Sequence, residues 1–204
     1  MPKLYSYVVA RDYGFAPNPF YGFCTLATCK PMIRKTARIG DWVVGTGSKT
    51  RGREANIVYA MRVTEDLSFD QYWSDPRFQH KKPYLRGSKK QAFGDNIYHR
   101  DSKTMRWRQE NSHHSHPDGT PNKRNIANDT QTARVLISDD FVYWGGNGPK
   151  LPKKLRNHKG IDLCGKRGYK NNFPDKMIEE FIVWLRSLKP KGYCGEPLDW
   201  VRSP

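Results

Sequence analysis

Three apolar runs organise the chain between Phe20 and Val63. Phe20–Cys29 is rich in aromatic, small and Thr residues and stops before Pro31. Asp41–Val44 is entered through Ile39-Gly40 and left through Gly45-Thr46-Gly47-Ser48, and Ile57–Val63 lies beyond the basic loop Lys49–Arg53. Gly-Asp before an apolar run is a turn signal, and the two following glycines permit a sharp exit or a close backbone approach. The pattern predicts strand, turn, strand, with small polar side chains and a cationic loop at one rim. Such a rim suits the mouth of a small β-barrel or strongly curved sheet.

The flanking segments extend this picture. Leu4–Ala10 alternates and is rich in β-formers, which predicts a first strand. Arg11–Pro19 is a loop carrying Tyr13 and Phe15, placed either to stack a base or to fold back as a lid. Ser68 and Gln71 have capping-box spacing, predicting a short helix with Phe69, Tyr72 and Trp73 that stops near Asp75-Pro76. Pro83–Lys90 reads as a basic turn region, and Gly94–His99 as a turn into a short strand. Residues 111–132 form a polar tract without periodicity, the mark of a functional or mobile loop. Ala133–Ser138 and Phe141–Trp144 read as strands meeting at Asp139-Asp140, followed by a basic, loop-like stretch. Pro174–Leu188 carries an apolar stripe at helical spacing, from Met177 through Phe181 to Leu188, which belongs to the core.

The expected fold is α+β: a mainly antiparallel curved sheet or small barrel, with peripheral helices and a C-terminal amphipathic helix over 174–188. One domain over 1–204 is expected, with core strands in 1–80 and 133–144 and basic, loop-rich elaborations in 81–132 and 145–172.

Length and composition agree with a folded domain: 204 residues can bury a core unaided, and six tryptophans are foreign to a solvated tail. The net charge of +16 adds a partner class, because a polyanion rewards clustered Lys and Arg through counterion release. No apolar run approaches the roughly 20 residues that span a bilayer, and the N-terminus lacks a signal-peptide pattern. A cytoplasmic protein with no membrane partner is therefore expected. The four cysteines are too sparse for a disulfide scaffold and match no compact zinc spacing. They read as reduced structural thiols, with no metal and no cofactor.

The succession CTLATCKPMIR, IGDWVVGTGS and FDQYWSDPRF resembles the nucleotide modification associated domain family of the second type, with GDNIYH and VLISDDFVYWG extending the likeness along most of the chain. More distantly, the Gly-Asp turn before a core strand and the acidic aromatic segment Asp66–Phe78 resemble PUA-like barrels of the EVE and ASCH groups. The resemblance implies association with modified DNA bases in phage and bacterial gene sets, and a flipped base held in an aromatic cleft. The basic half after residue 80 departs from a minimal barrel of that kind.

A flipped base needs a stacking face, partners for its edge, and cations for flanking phosphates. Trp42 or Tyr98 would supply the face, Asn18, Thr46, Ser48 and Asn96 the edge contacts, and Lys30, Arg34, Lys49 and Arg51 the phosphate contacts. Trp42 equally suits a core position. Gly45–Thr50 is not a phosphate-binding P-loop, because no Lys follows its second Gly directly. His113, His114 and His116, with Asp118 and Asp129, could bind a metal or serve acid–base chemistry, though no H-x-x-x-H on a helix or partnered C-x-x-C supports zinc. His116 is the favoured member, with Asp129 and Asp95 as further catalytic candidates. Cys24 or Cys29 as a nucleophile would need a base and an electropositive setting, which Lys30 and Arg34 partly provide, but strand cysteines are usually inert.

The leading expectation is a domain that recognises a modified base in nucleic acid, DNA rather than RNA, or in a nucleotide, alongside DNA-modification enzymes or phage-defence systems. The alternative is an enzyme that installs or removes a nucleobase modification with His and Asp residues of the 111–132 loop. A structural subunit gripping an acidic protein is a third class.

Overall fold

The computed structural model describes residues 1–165 and 168–200. Its elements run β1 (Leu4–Val9), β2 (Cys24–Leu26), α1 (Pro31–Thr36), β3 (Trp42–Gly47), β4 (Ile57–Arg62), β5 (Glu65–Ser68) and α2 (Phe69–Ser74). They continue with α3 (Lys89–Ala92), β6 (Tyr98–Arg100), β7 (Trp107–Gln109), α4 (Lys123–Asp129), β8 (Arg134–Ser138) and β9 (Asp140–Tyr143). The last are α5 (Lys153–Arg156), β10 (Tyr169–Lys170), α6 (Asp175–Ser187) and β11 (Gly192–Tyr193). The chain divides into two compact units: Met1–Asp12, Ala37–Thr64 and Ser138–Pro204 form the first, Tyr13–Thr36 and Glu65–Ile137 the second.

The first unit is built on a six-stranded sheet of order β10-β1-β3-β4-β9-β11. β1 runs parallel to β3 and β9 parallel to β11, while the other neighbours are antiparallel. Every residue of β3 is buried, which is why its sequence is apolar or small throughout. Gly45 is required there: a Cβ would lie 2.4 Å from the Tyr59 ring, and the β3–β4 register shifts beside it. α6 buries Met177, Ile178, Phe181 and Leu185 in one cluster with Leu4, Trp42, Val44 and Ala60.

The second unit has a three-stranded sheet of order β2-β8-β5 and the hairpin β6–β7. Its core gathers Phe15, Phe69, Tyr72, Phe78, Ile97, Tyr98, Val135 and Ile137. α2 starts with the expected capping box, both arms between Ser68 and Gln71 being made. A buried polar network lies within this unit. Lys81 Nζ donates to Asn18 Oδ1 (2.6 Å) and to the carbonyls of Asn18 and Phe23 (both 3.0 Å). Asp95 accepts from Thr25 Oγ1 (2.7 Å) and Tyr72 OH (2.8 Å). Burial pulls the Lys81 ammonium down to about 8, with Asp95 opposing, and pushes the Asp95 carboxyl up, with Lys81 opposing.

The α+β class and the C-terminal amphipathic helix hold. The barrel does not: among the described residues the sheets are open, and the largest ends at β10 on one side and β11 on the other. β3 continues through the Gly45–Gly47 stretch that was expected to turn at a barrel rim. The strands read at 133–138 and 141–144 are present as β8 and β9, and they belong to different sheets. The polar tract 111–132 contains a helix, α4, whose N-cap Asn122 accepts from the amides of Arg124 and Asn125. Part of the basic stretch 145–172, residues 166–167, lies outside the described residues. Among the described residues, no helix is long and apolar enough to cross a membrane.

Candidate active site

Cys29 sits where β2 gives way to α1. Its φ is 57° and that of Lys30 is 40°, two consecutive non-glycine residues in the left-handed region. Pro31 then opens the helix, its fixed φ suited to that position. A reactive residue on a sharp strand-to-helix turn projects clear of the backbone, the principle of the nucleophile elbow. Strained backbone of this kind costs about 1–3 kcal/mol per residue and clusters at functional sites.

His114 comes from the loop before α4, and Asp129 is the last residue of α4. Cys29 Sγ lies 3.6 Å from His114 Nε2, and His114 Nδ1 lies 2.8 Å from Asp129 Oδ2. The imidazole therefore bridges thiol and carboxylate, one ring nitrogen to each. Asp129 is fully buried and saturated: Oδ1 accepts from the Cys29 amide (2.8 Å) and Asn128 Nδ2 (3.0 Å), and Oδ2 also accepts from Tyr98 OH (3.0 Å). Gln109 Nε2 donates to Tyr98 OH (3.0 Å) and to the His114 carbonyl (3.2 Å), fixing hairpin and loop together.

Arg34, one turn into α1, ties the assembly together through backbone carbonyls. Its guanidinium donates to the carbonyls of Cys29 (2.9 Å), Thr132 (2.9 Å), Arg134 (2.7 Å) and Asp129 (2.5 Å). One buried cation thus holds the backbone of both the thiol and the carboxylate residue.

The electrostatics follow from this packing. Burial alone would lower the His114 pKa, but the hydrogen bond it donates to Asp129 and the nearby Cys29 outweigh this and raise the pKa to about 9. Burial would raise the Asp129 carboxyl, yet His114, Arg34 and the Cys29 amide hold it below the usual carboxylate range. Burial, then Asp129, pushes the Tyr98 phenol well above its ordinary value, so it stays neutral and donates. In Thr28, the residue before Cys29, the hydroxyl is buried and has no hydrogen-bond partner among the described residues.

Cys29, His114 and Asp129 also offer metal-ligating atoms within 4.8 Å of one another. A cage would require sulfur, one imidazole nitrogen and a carboxylate oxygen to face a common centre. Here the imidazole stands between the other two groups, the arrangement of nucleophile, base and orienting carboxylate.

The nucleotide modification associated domain 2 family model matches residues 1–204. The chain belongs to this family. Comparison with curated proteins and with solved structures gave no match.

In this nucleotide modification associated domain, the residues expected from sequence are distributed over both units. Trp42 is 3% exposed in the first unit's core, edge-on to Phe181. Thr46 Oγ1 donates to the Tyr7 carbonyl (3.3 Å), and Ser48 Oγ shares a hydrogen bond with Thr50. Lys49 is exposed, and Arg51 pairs with Asp199 at 2.7 Å. In the second unit, Asn18 and Asn96 are buried; Asn18 serves Lys81, and Asn96 Nδ2 donates to the Tyr72 and Phe78 carbonyls. Asp95 lies in the Lys81 network, and Lys30 is half-buried beside Cys29. Arg34, expected at a phosphate, is fully buried among carbonyls because four acceptors converge on it.

Of the acid–base candidates, the structure brings Asp129 to the thiol and leaves His116 exposed in a turn closed by its amide to the Thr120 carbonyl. His114 is the member of the cluster that reaches Cys29. One signal for Cys29 was present in the sequence: a helix-opening proline two residues after a cysteine that ends an apolar run.

Proposed function

We propose that this family member is an enzyme that uses Cys29 as a nucleophile on an acyl-type carbon carried by a nucleobase or nucleotide, with His114 as base and Asp129 as orienting carboxylate. The observation that carries this reading is the unbroken chain from Cys29 Sγ through the His114 ring to buried Asp129, set on a left-handed strand-to-helix turn. In the first step the Cys29 sulfur, its proton already held on His114 Nε2 as an imidazolium, bonds to the carbonyl carbon, and the C–N or C–O bond breaks as His114 protonates the leaving group. In the second, water gives a proton to His114 and its oxygen to the thioester carbon, the C–S bond breaks with release of the carboxylic acid, and the Cys29–His114 pair regains its starting proton. Asp129 holds the imidazole with Nδ1 protonated and stabilises the imidazolium; Arg34 positions both partners through their carbonyls.

The family's association with nucleotide modification and the charge of +16 support a polyanionic substrate, nucleic acid in preference to a small neutral amide. In the reading of the domain as a pure base reader, Asn18, Thr46, Asn96 and Tyr98 would have to release interior partners to meet a base.

The test is alkylation of the full chain with iodoacetamide at neutral pH, followed cysteine by cysteine. Cys29 should react at least about tenfold faster than exposed Cys194, and His114→Ala should remove most of that advantage. Equal rates at both cysteines, or a Cys29 rate indifferent to His114, would sink the proposal. Co-purification of one zinc ion, lost on replacing any of the three residues, would instead establish a metal centre.

A further inference from the structure

The Cys29–His114 pair borders a set of aromatic rings that the chemistry above leaves unused. Phe15, buried, places its ring 4.6 Å from His114 and 5.3 Å from His113. Tyr13 stacks on Phe93 at 5.2 Å with 14° between the planes, and His113 leans on both, 4.7 Å from Tyr13 and 5.3 Å from Phe93. The imidazoles of His113 and His114 are themselves near-parallel at 6.1 Å. Tyr13 and Phe93 are half-buried and His113 is exposed. An aromatic wall thus begins one ring away from the catalytic base and continues to the surface.

The wall is held rigidly. The Phe93 carbonyl accepts from Asn18 Nδ2 (3.0 Å), and Asn18 is itself locked by the buried Lys81 ammonium. Phe15 belongs to the second unit's core cluster, with Tyr13 and Phe93 packed against it. Rings fixed in this way lose little entropy when a flat ligand lies on them, the condition under which base–aromatic stacking contributes most.

We propose that Tyr13, Phe93 and His113 form the stacking subsite for an unpaired nucleobase of single-stranded nucleic acid, which presents its exocyclic group to Cys29. This rests on the reading of Cys29 as nucleophile and adds the recognition element that reading lacks. π-faces accept any base, so the wall supplies affinity and placement, while the reach from wall to sulfur selects the position attacked. The charge of the chain draws in the flanking phosphates.

The experiment measures the rate of Cys29 alkylation by iodoacetamide with and without a saturating short single-stranded oligodeoxynucleotide of mixed sequence. An abasic strand of equal length is the charge control. The rate without nucleic acid reports on the Cys29–His114 pair; the ratio of the two rates reports on the wall. If Cys29 proves slow, the same ratio is read over longer times, so the two ideas fail separately. We expect the base-bearing strand to slow alkylation about fivefold or more and the abasic strand to have little effect. The ratio should fall towards one in Tyr13→Leu and Phe93→Leu, which keep apolar bulk, and to an intermediate value in His113→Ala, where an exposed side chain is removed. Equal protection by the abasic strand, undiminished protection in the leucine variants, or no protection of the parent protein would each overturn the proposal.

Discussion

His114 has one ring nitrogen on a buried carboxylate and the other on a thiol, and its protonation state is coupled to folding. Its pKa is raised from 6.5 to about 9 in the folded chain, so folding favours the imidazolium. The resulting stabilisation is complete below pH 6.5 and is lost as pH rises through about 9. The melting temperature of the parent should therefore fall between these limits, and that of His114→Asn should fall less. Parallel curves for the two proteins would refute the coupling. At this scale the sequence was partly legible. Asp129 stood out as an acid beside a histidine cluster, but nothing in HHSH distinguishes His114 from His116. The difference is made in three dimensions, where Gln109 and Asn125 hold the His114 carbonyl and Ser112 Oγ accepts from its amide. An apolar run hides Cys29, because cysteines in strands are usually inert; the strand ends at Leu26 and leaves Cys29 on the turn.

Elements with strong periodicity or explicit end signals were readable. β1, β3, β4 and α6 follow their patterns to within a few residues, and the capping box at Ser68 forms as written. Ser68→Ala should cost about 1 kcal/mol, through loss of the bond to the Gln71 amide, measured by urea denaturation. An unchanged midpoint would mean that the cap contributes nothing beyond what water supplies. α4 was not readable: its seven residues carry only Ile126 and Ala127 as apolar members inside a polar tract. Its stability comes from the Asn122 cap and from Asp129, whose buried carboxylate has four donors. Neither the strand at Glu65–Ser68 nor the pairing of β8 with β5 is announced by hydrophobicity, since β5 opens with two acids, has Leu67 as its one apolar residue and is half-buried throughout.

For the whole molecule, net charge and fold class came from the sequence, while the barrel was an over-reading of a Gly-Asp turn and a glycine-rich exit. Those glycines serve close packing inside an open sheet: Gly45 against Tyr59, and Gly47 against the backbone of Arg53. If the excess of basic residues serves nucleic acid, binding of a single-stranded oligonucleotide should weaken roughly a hundredfold or more between about 50 and 200 mM salt. An affinity indifferent to salt would remove the charge argument for a polyanionic substrate.

Neither unit is a continuous stretch of chain, and this shapes how the protein emerges from the ribosome. All residues of the unit that carries Cys29, His114 and Asp129 have been synthesised once Ile137 is made. At that moment the other unit has only β1, β3 and β4, with β4 lacking its partner β9 and β1 lacking β10. Two open strand edges then wait on the nascent chain for several seconds at ordinary translation rates, a time on the order of the remaining residues divided by 5–20 per second. Any shortened gene ending near residue 137 would make that wait permanent. The unit that carries Cys29, His114 and Asp129 would be present in full, joined to an unfinished sheet with unpaired backbone on both sides.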